Sequence, residues 1–401
     1  MKRLSGGIDV GSESHHIIIL DEEDNFLYNQ KVAHKLNEFT ESIKLFRKIE
    51  KQEGGKISFA LEGKNGYSAP FDRILLDQGF TLYNVDNFKL KRFREAFAGE
   101  WRDDERDSLM LSKMLKLKEH INSEREKVFI KIEKPSLITE SLKLLSRHQQ
   151  TLIDERVRLT NRLRKKLLEV CPQILELGKL KNKKIVAILT KYPDFSKYKR
   201  ITLCSLLKIK GIGKKGVPFL LKRLNNIEYV PGLTNIYKTI ILSYAQRILE
   251  LREEIEDIDK KLDEIGNQSK EVNHLKTIPG VATKLASRFV GEIGDINRFP
   301  SEKQLAIYCG IACIDNNSGK VTKAKVVHKA NKICKQTLIN MAGCSIRFSP
   351  QCKTYYLKKR TEGKNHNHAL RCLARQLIKV IYRMFTEDRE YIIRKELSKA
   401  A

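Results

Sequence analysis

The chain has few of the residues that define several common classes of protein. Eight cysteines in 401 residues are too sparse for a disulfide-stapled scaffold. A single tryptophan and the lack of any run near the roughly 20 apolar residues of a membrane helix argue against a membrane protein. Glycine and proline number only 22 and nine, which favours long helices over a loop-rich β architecture. The first residues lack the apolar segment of a signal peptide, so we expect a cytoplasmic protein.

Positive charge is present in large excess. The chain has 77 Lys and Arg residues against 49 Asp and Glu, a formal net charge of +28. Such an excess indicates a polyanionic partner, because each Lys or Arg placed on a phosphate releases counterions condensed on the nucleic acid. With 41% hydrophobic residues the chain can also build folded cores. We therefore expect a folded protein that binds nucleic acid.

Six of the eight cysteines fall in the last quarter of the chain, near three histidines. The spacing of Cys309 and Cys313 could place two sulfurs on one side of a helix, but no second pair completes a zinc module. Buried free thiols in a reducing cytoplasm are the favoured interpretation. The sequence leaves open whether these Cys and His side chains bind a metal.

The length predicts two or three domains, because single cores rarely exceed about 150 residues. The residue pattern divides into an α/β region at 1–125, a helical region at 126–270 and a mostly helical region at 271–401. The predicted fold class is therefore α/β followed by α, in three domains.

Strand and helix signals alternate in the first hundred residues. A meander of three short strands is predicted, then a helix, a strand, a helix and a further strand. The strands are expected at Ile8–Val10, Ile17–Leu20, Phe26–Tyr28, Ile57–Leu61 and Thr81–Val85, and the helices at Leu36–Glu50 and Ala69–Gln78. This order is that of a ribonuclease H-like, or RuvC-like, mixed sheet covered by helices.

Two long helices are predicted in the middle of the chain. In the second, apolar residues recur at alternating steps of three and four, which is the heptad seam of a coiled coil. The seam consists of Ile241, Tyr244, Ile248, Leu251, Ile255, Ile258, Leu262 and Ile265. In the first, Leu145, Leu152 and Leu159 keep the seven-residue spacing, and Pro172 should end the helix. The sequence leaves open whether the two helices pair within one chain or between subunits.

Two glycine-containing segments are similar to helix-hairpin-helix turns, whose backbone N–H groups can hold a DNA phosphate. One lies at Gly211–Gly216, where an ordinary loop between helices is an equally simple interpretation. The other lies at Ile278–Thr283, ahead of a helix that ends near Ile293, and is better formed. We therefore predict a C-terminal domain with helix-hairpin-helix character.

Four acidic residues could share one site in the N-terminal domain. Asp9 lies in the first strand and Glu62 ends the fourth, and these strands are neighbours in a ribonuclease H-like sheet. Asp104 and Asp107 are three residues apart, hence on one face of a helix. Four carboxylates at one place stay ionised only with hard cations between them, for which Mg²⁺ is the natural candidate. Taken singly, each acid can equally be a helix cap or a turn residue.

The segment Gly7–Ser12 also fits the phosphate loop that opens actin-like ATPases and sugar kinases. Those enzymes need further glycine-rich loops downstream, which the sequence does not display, and they have no use for strong positive charge. A kinase-like function is kept as a minor alternative.

A second candidate for chemistry is Ser318, in a polar segment that we expect to be a flexible loop. A hydroxyl beside concentrated positive charge could attack a phosphodiester while lysines stabilise the charge of the transition state. A serine in an Asn-Asn-Ser-Gly turn is also ordinary turn chemistry. The neighbouring lysines from which we expect nucleic-acid contacts are Lys320, Lys323, Lys325, Lys329 and Lys332.

Two further basic surfaces are predicted. On the first long helix we expect nucleic-acid contacts from Arg147, Arg156, Arg162 and Lys165, and a second basic run lies at Lys358–Arg375. Charged runs are commonly solvated helix faces, but two of them in so basic a chain favour contact with phosphates.

These residues together resemble a known family, the DEDD transposases of bacterial insertion sequences, whose members are bridge-RNA-guided serine recombinases. In the N-terminal part the resemblance is carried by Gly7-Ile8-Asp9-Val10-Gly11, Leu61-Glu62-Gly63 and Arg102-Asp103-Asp104-Glu105-Arg106-Asp107-Ser108. The third segment corresponds to the family's usual K-T-D-x-x-D-A, with Asp103 in place of Thr and Ser108 in place of Ala. Its spacing favours Asp104 and Asp107 as the functional acids.

The C-terminal part resembles the same family over a longer series of short segments. They are Ile278-Pro279-Gly280-Val281, Gly291-Glu292-Ile293-Gly294-Asp295-Ile296, Phe299, Leu305-Ala306, Tyr308-Cys309-Gly310-Ile311, Ser318-Gly319, Lys329-Ala330-Asn331-Lys332 and Leu373-Ala374-Arg375. The two ends together span most of the chain, whereas the middle is only generically similar.

The resemblance implies a composite active site in which Asp9, Glu62, Asp104 and Asp107 hold Mg²⁺ and Ser318 forms a phosphoserine link to DNA. It implies a noncoding bridge RNA that pairs with donor and target double-stranded DNA, in a protein that acts at the nucleoid of a prokaryotic cell. It also implies a homotetramer, a dimer of dimers, in which the ribonuclease H-like domain of one subunit completes the serine domain of another. Two other functions stay open: a Holliday-junction-type resolvase that uses the acids alone, and a non-catalytic nucleic-acid-binding relative.

Overall fold

A computed structural model describes residues 2–63, 66–97, 103–121, 128–209, 212, 217–229, 234–312, 314–318, 321–325 and 330–392, with the main chain alone described at 314–318 and 321–325. The chain divides into two compact units, Met1–Lys134 and Pro135–Ala401. The division of the sequence into three domains stays a prediction. Within the described residues, no helix is long and apolar enough to span a bilayer.

The first unit is built on a six-stranded mixed sheet. Its elements are β1 (Lys2–Val10), β2 (Ser14–Leu20), β3 (Phe26–Ala33), α1 (Leu36–Glu53), β4 (Gly55–Glu62), α2 (Ala69–Asp77), β5 (Thr81–Val85), α3 (Asn87–Phe97), α4 (Asp104–Lys116), α5 (Lys118–Ile121) and β6 (Phe129–Lys131). The strand order is β3-β2-β1-β4-β5-β6. Strands β1, β4 and β5 run parallel, and β2, β3 and β6 pair antiparallel with their neighbours.

The α/β order predicted from the sequence is confirmed for this unit. The three-strand meander, the next two strands and the two helices between them all occur, and most strands extend beyond their predicted ends. Strand β6 was not predicted, because a segment of only three residues carries too little periodicity to be recognised. The sheet and its flanking helices are consistent with a ribonuclease H-like domain.

Helices cover both faces of the sheet, as alternation along the strands requires. On one face, Phe46 of α1 and Phe71 of α2 pack with strand residues such as Phe59. On the other, Leu111 of α4 packs with the central strand residue Ala60. Side chains alternate between the two faces of a sheet, so residues two positions apart on a strand share a face. The polar residues that lie beside α4 are therefore those on the same face as Ala60.

Helix α4 lies unusually close to strand β1. A Cβ atom added at Gly7 would stand 1.9 Å from the backbone oxygen of Ser108, so only glycine fits there. Two small polar side chains complete the contact: the Ser108 hydroxyl donates to the carbonyl of His16 at 2.8 Å, and the Ser112 hydroxyl donates to the carbonyl of Ser5 at 2.6 Å. Close packing at Gly7 thus brings the start of α4 to the end of β1.

The second unit is mostly helical. Its elements are α6 (Leu137–Val170), a 3₁₀ helix (Pro172–Leu177), α7 (Lys183–Lys191), a 3₁₀ helix (Phe195–Arg200), α8 (Leu203–Leu207), α9 (Val217–Asn225), α10 (Thr234–Asn267), α11 (Lys270–Lys276), α12 (Thr283–Ile293), a 3₁₀ helix (Ile296–Arg298), α13 (Glu302–Tyr308), β7 (Ile314–Ser318), β8 (Val321–Lys325), α14 (Lys332–Phe348), α15 (Pro350–Thr361) and α16 (His366–Thr386). Helix α6 ends two residues before Pro172, as predicted.

The two long helices α6 and α10 pair within one chain and run antiparallel. Gln149 hydrogen-bonds Asp259, whereas Glu155, further along α6, pairs with Arg247, which lies earlier on α10. The predicted seam faces the core, where Ile248 and most of its other members are buried. Whether the pair supercoils as a coiled coil stays a prediction.

The C-terminal part shares its core with α6 and α10. Helices α11 and α12 are joined by a short turn in which Gly280 has a left-handed φ of 87°, and a Cβ there would meet the backbone of Cys344 at 2.9 Å. The predicted helix to Ile293 is confirmed, with Gly294 as its C-cap. Helix-hairpin-helix character stays a prediction, and of the glycine segment Gly211–Gly216 all but Ile212 lies outside the described residues.

The expectation of a flexible loop around Ser318 was wrong for the main chain. Strands β7 and β8 form an antiparallel hairpin in which Ser318 pairs with Val321. Two residues, Gly319 and Lys320, separate the strands, and a Gly-X pair is a known signal for a two-residue hairpin turn. The polar composition concealed this signal.

The close packing at Gly7 yields a stability prediction. Gly7→Ala should lower the free energy of unfolding by at least about 2 kcal/mol, because its methyl group would press on a backbone that cannot yield. Gly343→Ala is the matched control: it lies in α14 with open space around its Cβ position and should raise stability by about 0.5–1 kcal/mol. Denaturant unfolding of both variants tests this, and equal effects would contradict it.

Candidate active site

Asp9 and Glu62 lie side by side at the carboxyl ends of two parallel strands. The register pairs Ile8 of β1 with Leu61 of β4, so Asp9 and Glu62 occupy the next position on each strand. Alternation places Asp9 on the same face as Gly7, and Glu62 on the same face as Ala60, which is the face that α4 covers. The sheet therefore brings together two acids that are 53 positions apart in the sequence.

The first turn of α4 adds two more carboxylates at this place. Asp104 and Asp107 both lie in that turn, where the helix dipole favours negative charge. Asp103 has a different role: it is the N-cap, and its Oδ1 accepts from the Arg106 N–H at 2.7 Å. The Asp103 carboxylate is thus used to cap the helix. This leaves Asp104 and Asp107 as the acids that can face the strands.

Ser108 ties the helix to the strand that carries Asp9. Its hydroxyl is buried and lies 3.3 Å from the backbone N–H of Asp9, which donates to it. The Asp104 carbonyl lies 2.8 Å from the same hydroxyl, whose single proton it shares with the His16 carbonyl. Ser108 therefore fixes the separation between Asp9 and the acids of the first turn.

The guanidinium of Arg94, on α3, lies between two of the four acids. Its Nη2 is 3.0 Å from Glu62 Oε2 and its Nε is 2.9 Å from Asp107 Oδ1, and the Arg94 side chain is only 17% exposed. Arg94 was not predicted as a site residue, since nothing in the sequence pattern separates it from the other basic residues of α3. A second cation, Lys31 of β3, pairs with Asp104 Oδ2 at 2.8 Å in a more exposed position.

Burial and the neighbouring charges of the cluster change the pKa of Asp9. Burial, together with the nearby carboxylates of Asp107, Asp104 and Glu62, raises the pKa of Asp9 to about 6, while Arg94 opposes them. A carboxyl group with this pKa is poised between its protonated and charged forms near neutral pH. The shift also shows that the four acids share one electrostatic environment.

The cluster has the donor set of a divalent cation site. Four carboxylates at the edge of a sheet offer the hard oxygen ligands that Mg²⁺ prefers, and Arg94 already lies among them as a cation. Among the described residues, no three His, Cys, Asp or Glu side chains stand close enough to hold one ion. Because the guanidinium pairs with both Glu62 and Asp107, a metal bound between these two carboxylates would have to displace it.

The residues around Ser318 are described to different extents. Ser318 lies at the end of β7, and Lys323 and Lys325 lie on β8, but only their main chain is described. Lys320 and Lys329 lie outside the described residues. Lys332 is exposed at the start of α14.

The predicted basic surface of α6 divides into two kinds of residue. Arg147 forms a bidentate pair with the buried carboxylate of Glu292, at 2.6 Å and 2.9 Å. Arg156 is half-buried, whereas Arg162 and Lys165 are exposed. The exposed pair lies three residues apart on one helix face, where it is accessible to a phosphate backbone.

The cysteines of the described residues are free thiols. Cys309 and Cys334 are both buried, and the pKa of the Cys334 thiol is raised by its hydrogen bond with Cys309 and by burial. Cys313 lies outside the described residues. The two buried thiols belong to the hydrophobic core of the second unit.

Comparison with known protein families accounts for both ends of the chain. The family model for the DEDD transposases of IS110 matches residues 6–172, which include all four clustered acids. A second model, described as the transposase family of IS116, IS110 and IS902, matches residues 272–357, which include Ser318. The chain belongs to this family of insertion-element transposases. Membership indicates a DNA-cleaving and recombining enzyme, of a type that typically uses a divalent metal.

Two individual relatives extend along nearly the whole chain, and a third matches part of it. The 44.8 kDa protein of insertion element IS116 from Streptomyces clavuligerus is 24% identical over 96% of both chains. The 42 kDa protein of IS900 from Mycobacterium paratuberculosis is 23% identical, also over 96% of both. The pilin gene-inverting protein of Moraxella bovis is 24% identical over 34% of this chain and 45% of its own.

The position of Arg94 in this transposase predicts competition with metal. Arg94→Gln should lower the melting temperature of the metal-free protein and raise its affinity for Mn²⁺ at least about fivefold, since the acids lose their internal cation. Both are measured at pH 8, by thermal unfolding and calorimetry, so that Asp9 is ionised. Arg92→Gln removes the same charge from the same helix, where Arg92 lies over the Phe88 ring, and should change neither value. A fall in Mn²⁺ affinity with Arg94→Gln would contradict the prediction.

The raised pKa of Asp9 predicts how metal binding depends on pH. A metal binds the ionised carboxylate, so Mn²⁺ affinity should be nearly constant above pH 7 and fall by up to about tenfold per unit below the Asp9 pKa of about 6. Calorimetric titrations at pH 5, 6, 7 and 8 measure this. An affinity that stays constant down to pH 5 would show that Asp9 is not a ligand.

Proposed function

We propose that the chain is an RNA-guided DNA recombinase that mobilises an insertion sequence. In this proposal Asp9, Glu62, Asp104 and Asp107 hold Mg²⁺ and Ser318 is the nucleophile that cleaves and rejoins DNA. The observation that carries it is the gathering of four acids on one edge of the sheet, beside a cation, in a chain with a net charge of +28. Family membership supports the same reading.

The acids would act on the phosphate of the scissile bond. Bound Mg²⁺ would supply Lewis-acid stabilisation of the charge that develops on phosphate oxygens. Asp9 and Glu62 would form the fixed part of the site because they lie on paired strands, and Asp104 and Asp107 would complete it from the helix. Ser108 and Gly7 would keep the two parts at a constant distance.

Ser318 would carry the covalent step. Its hydroxyl oxygen forms a bond to phosphorus, the bond from phosphorus to a deoxyribose oxygen breaks, and the proton of the hydroxyl passes to that leaving oxygen. A hydroxyl from another strand then reverses the reaction and releases Ser318. Energy of the phosphodiester is thereby conserved, which suits strand exchange without an added nucleotide.

The partners in this proposal are a bridge RNA, donor and target double-stranded DNA, and further copies of the chain in a tetramer. The exposed Arg162, Lys165 and Lys332 support contact with a phosphate backbone. The name of the Moraxella relative describes inversion of a gene, which is a rearrangement of DNA.

Trapping of a covalent protein–DNA adduct tests the proposal. The protein is copurified with its RNA, incubated with DNA and Mg²⁺, and denatured. Ser318→Ala and Asp104→Asn should each lower the adduct yield at least about 100-fold, because one removes the nucleophile and the other a ligand. Asp103→Asn is the matched control, since asparagine also caps helices and should leave the yield within about twofold.

The outcome also separates the proposal from its alternatives. An adduct that survives Ser318→Ala removes the serine mechanism. DNA cleavage that needs Asp104 but not Ser318 would indicate a resolvase-like nuclease that uses the acids and water. Binding of RNA and DNA without cleavage by any variant or by the unsubstituted protein would indicate a non-catalytic relative.

A further inference from the structure

One buried carboxylate of the second unit has no part in the proposed chemistry. The side chain of Glu292, on α12, is 0% exposed, and it accepts two hydrogen bonds from the guanidinium of Arg147 on α6. Helices α6 and α12 can come this close because Gly291 lacks a side chain; a Cβ there would lie 2.6 Å from the backbone nitrogen of Lys143. A buried ion pair is costly to assemble, so its location is informative.

Glu292 contacts the two segments that flank the Ser318 hairpin, one before β7 and one after β8. Asn331, which follows the hairpin, donates from Nδ2 to Glu292 Oε2 at 2.7 Å and to the Tyr308 hydroxyl at 3.0 Å. Tyr308, which precedes the hairpin, donates from its hydroxyl to the Glu292 carbonyl at 3.0 Å. The backbone N–H of Asn331 also donates to the Tyr308 carbonyl at 2.8 Å. The carboxylate thus closes a ring of contacts around both ends.

The surrounding packing restricts the same two ends. Asn331 is the N-cap of α14, where its Oδ1 accepts from the N–H groups of Ile333 and Cys334 at 3.0 Å. Gly310 has a φ of 63°, and a Cβ there would meet the Ala330 side chain at 2.7 Å. The two segments that flank the hairpin, at Gly310 and at Ala330–Asn331, are therefore packed tightly together and form its base.

We propose that Glu292 is a positioning residue for the Ser318 hairpin. Through Arg147 and Asn331 it fixes the base of the hairpin to α6, the helix that also carries the exposed Arg162 and Lys165. The inference rests on the proposed function, because it supposes that Ser318 is the nucleophile. Arg147, which was predicted to contact nucleic acid, would then serve at the hairpin base instead.

There is a chemical reason for Glu292 to hold the base of the hairpin in place. A nucleophile works when it is held near the phosphorus, and a displacement of about 1 Å can slow a reaction about 100-fold. A two-stranded hairpin is marginally stable on its own and needs its ends fixed from outside. Charged hydrogen bonds to a buried carboxylate are among the stronger and more directional contacts available for this.

Two variants test whether Glu292 positions the hairpin or only stabilises the protein as a whole. Glu292→Gln turns an acceptor into a donor that faces Arg147 or Asn331. Asn331→Ser keeps a hydroxyl that caps α14 but cannot reach Glu292, so it serves if the first variant folds poorly. The matched control is Asp259→Asn, which disturbs the polar contact of Asp259 with Gln149 on the same α6, away from the hairpin ends.

The experiment uses the full protein with its RNA and has two readouts. Hydrogen exchange of the amides at 314–318 and 321–325 should quicken at least about tenfold in Glu292→Gln and Asn331→Ser, and remain unchanged in Asp259→Asn. At saturating DNA, the rate of Ser318–DNA adduct formation should fall about 100-fold in Glu292→Gln and stay within about twofold in the control.

The readouts distinguish the inference from the function on which it rests. Unchanged hairpin exchange in both variants overturns the inference, and so does quickened exchange with an unchanged adduct rate. If the unsubstituted protein forms no adduct, the proposed serine mechanism fails. The exchange data then still decide whether Glu292 holds the hairpin.

Discussion

The contact between helix α4 and strand β1 determines where the acids of the first unit meet. Gly7 leaves no room for any side chain at the point of closest approach, and the Ser108 hydroxyl bonds both to the strand and to its own helix. With that distance fixed, the first turn of α4 presents Asp104 and Asp107 to the strand end that carries Asp9. The electrostatics of the site follow from this packing, because repulsion between carboxylates depends steeply on their separation.

The protein contains two clusters of partly buried charge that are stabilised differently. Around Arg94 and Lys31 the four acids outnumber the two cations, so the cluster keeps a net negative charge. Around Glu292 each carboxylate oxygen has a donor, from Arg147 or Asn331, and the cluster is closed. An incompletely paired cluster is suited to bind an ion, whereas a fully paired one is suited to hold backbone segments together.

Much of the architecture could be predicted from local pattern. Period-two runs gave the strands of the first unit, and the heptad steps gave a helix whose apolar stripe is buried. The pattern failed where elements were short or polar. Strand β6 has three residues, and the hairpin at Ser318 has the composition of a loop, so neither shows the hydrophobic alternation on which recognition depends.

The sequence by itself determined the excess of positive charge and the order of strands and helices. It also identified the candidate acids of the site, Asp9, Glu62, Asp104 and Asp107. Only the tertiary structure decided which charges face one another. It made Asp103 a cap, placed Arg94 between Glu62 and Asp107, and joined Arg147 to Glu292. The reason is physical: periodicity reports which face of an element is buried, but the pairing of polar groups depends on distances between elements that are remote in the chain.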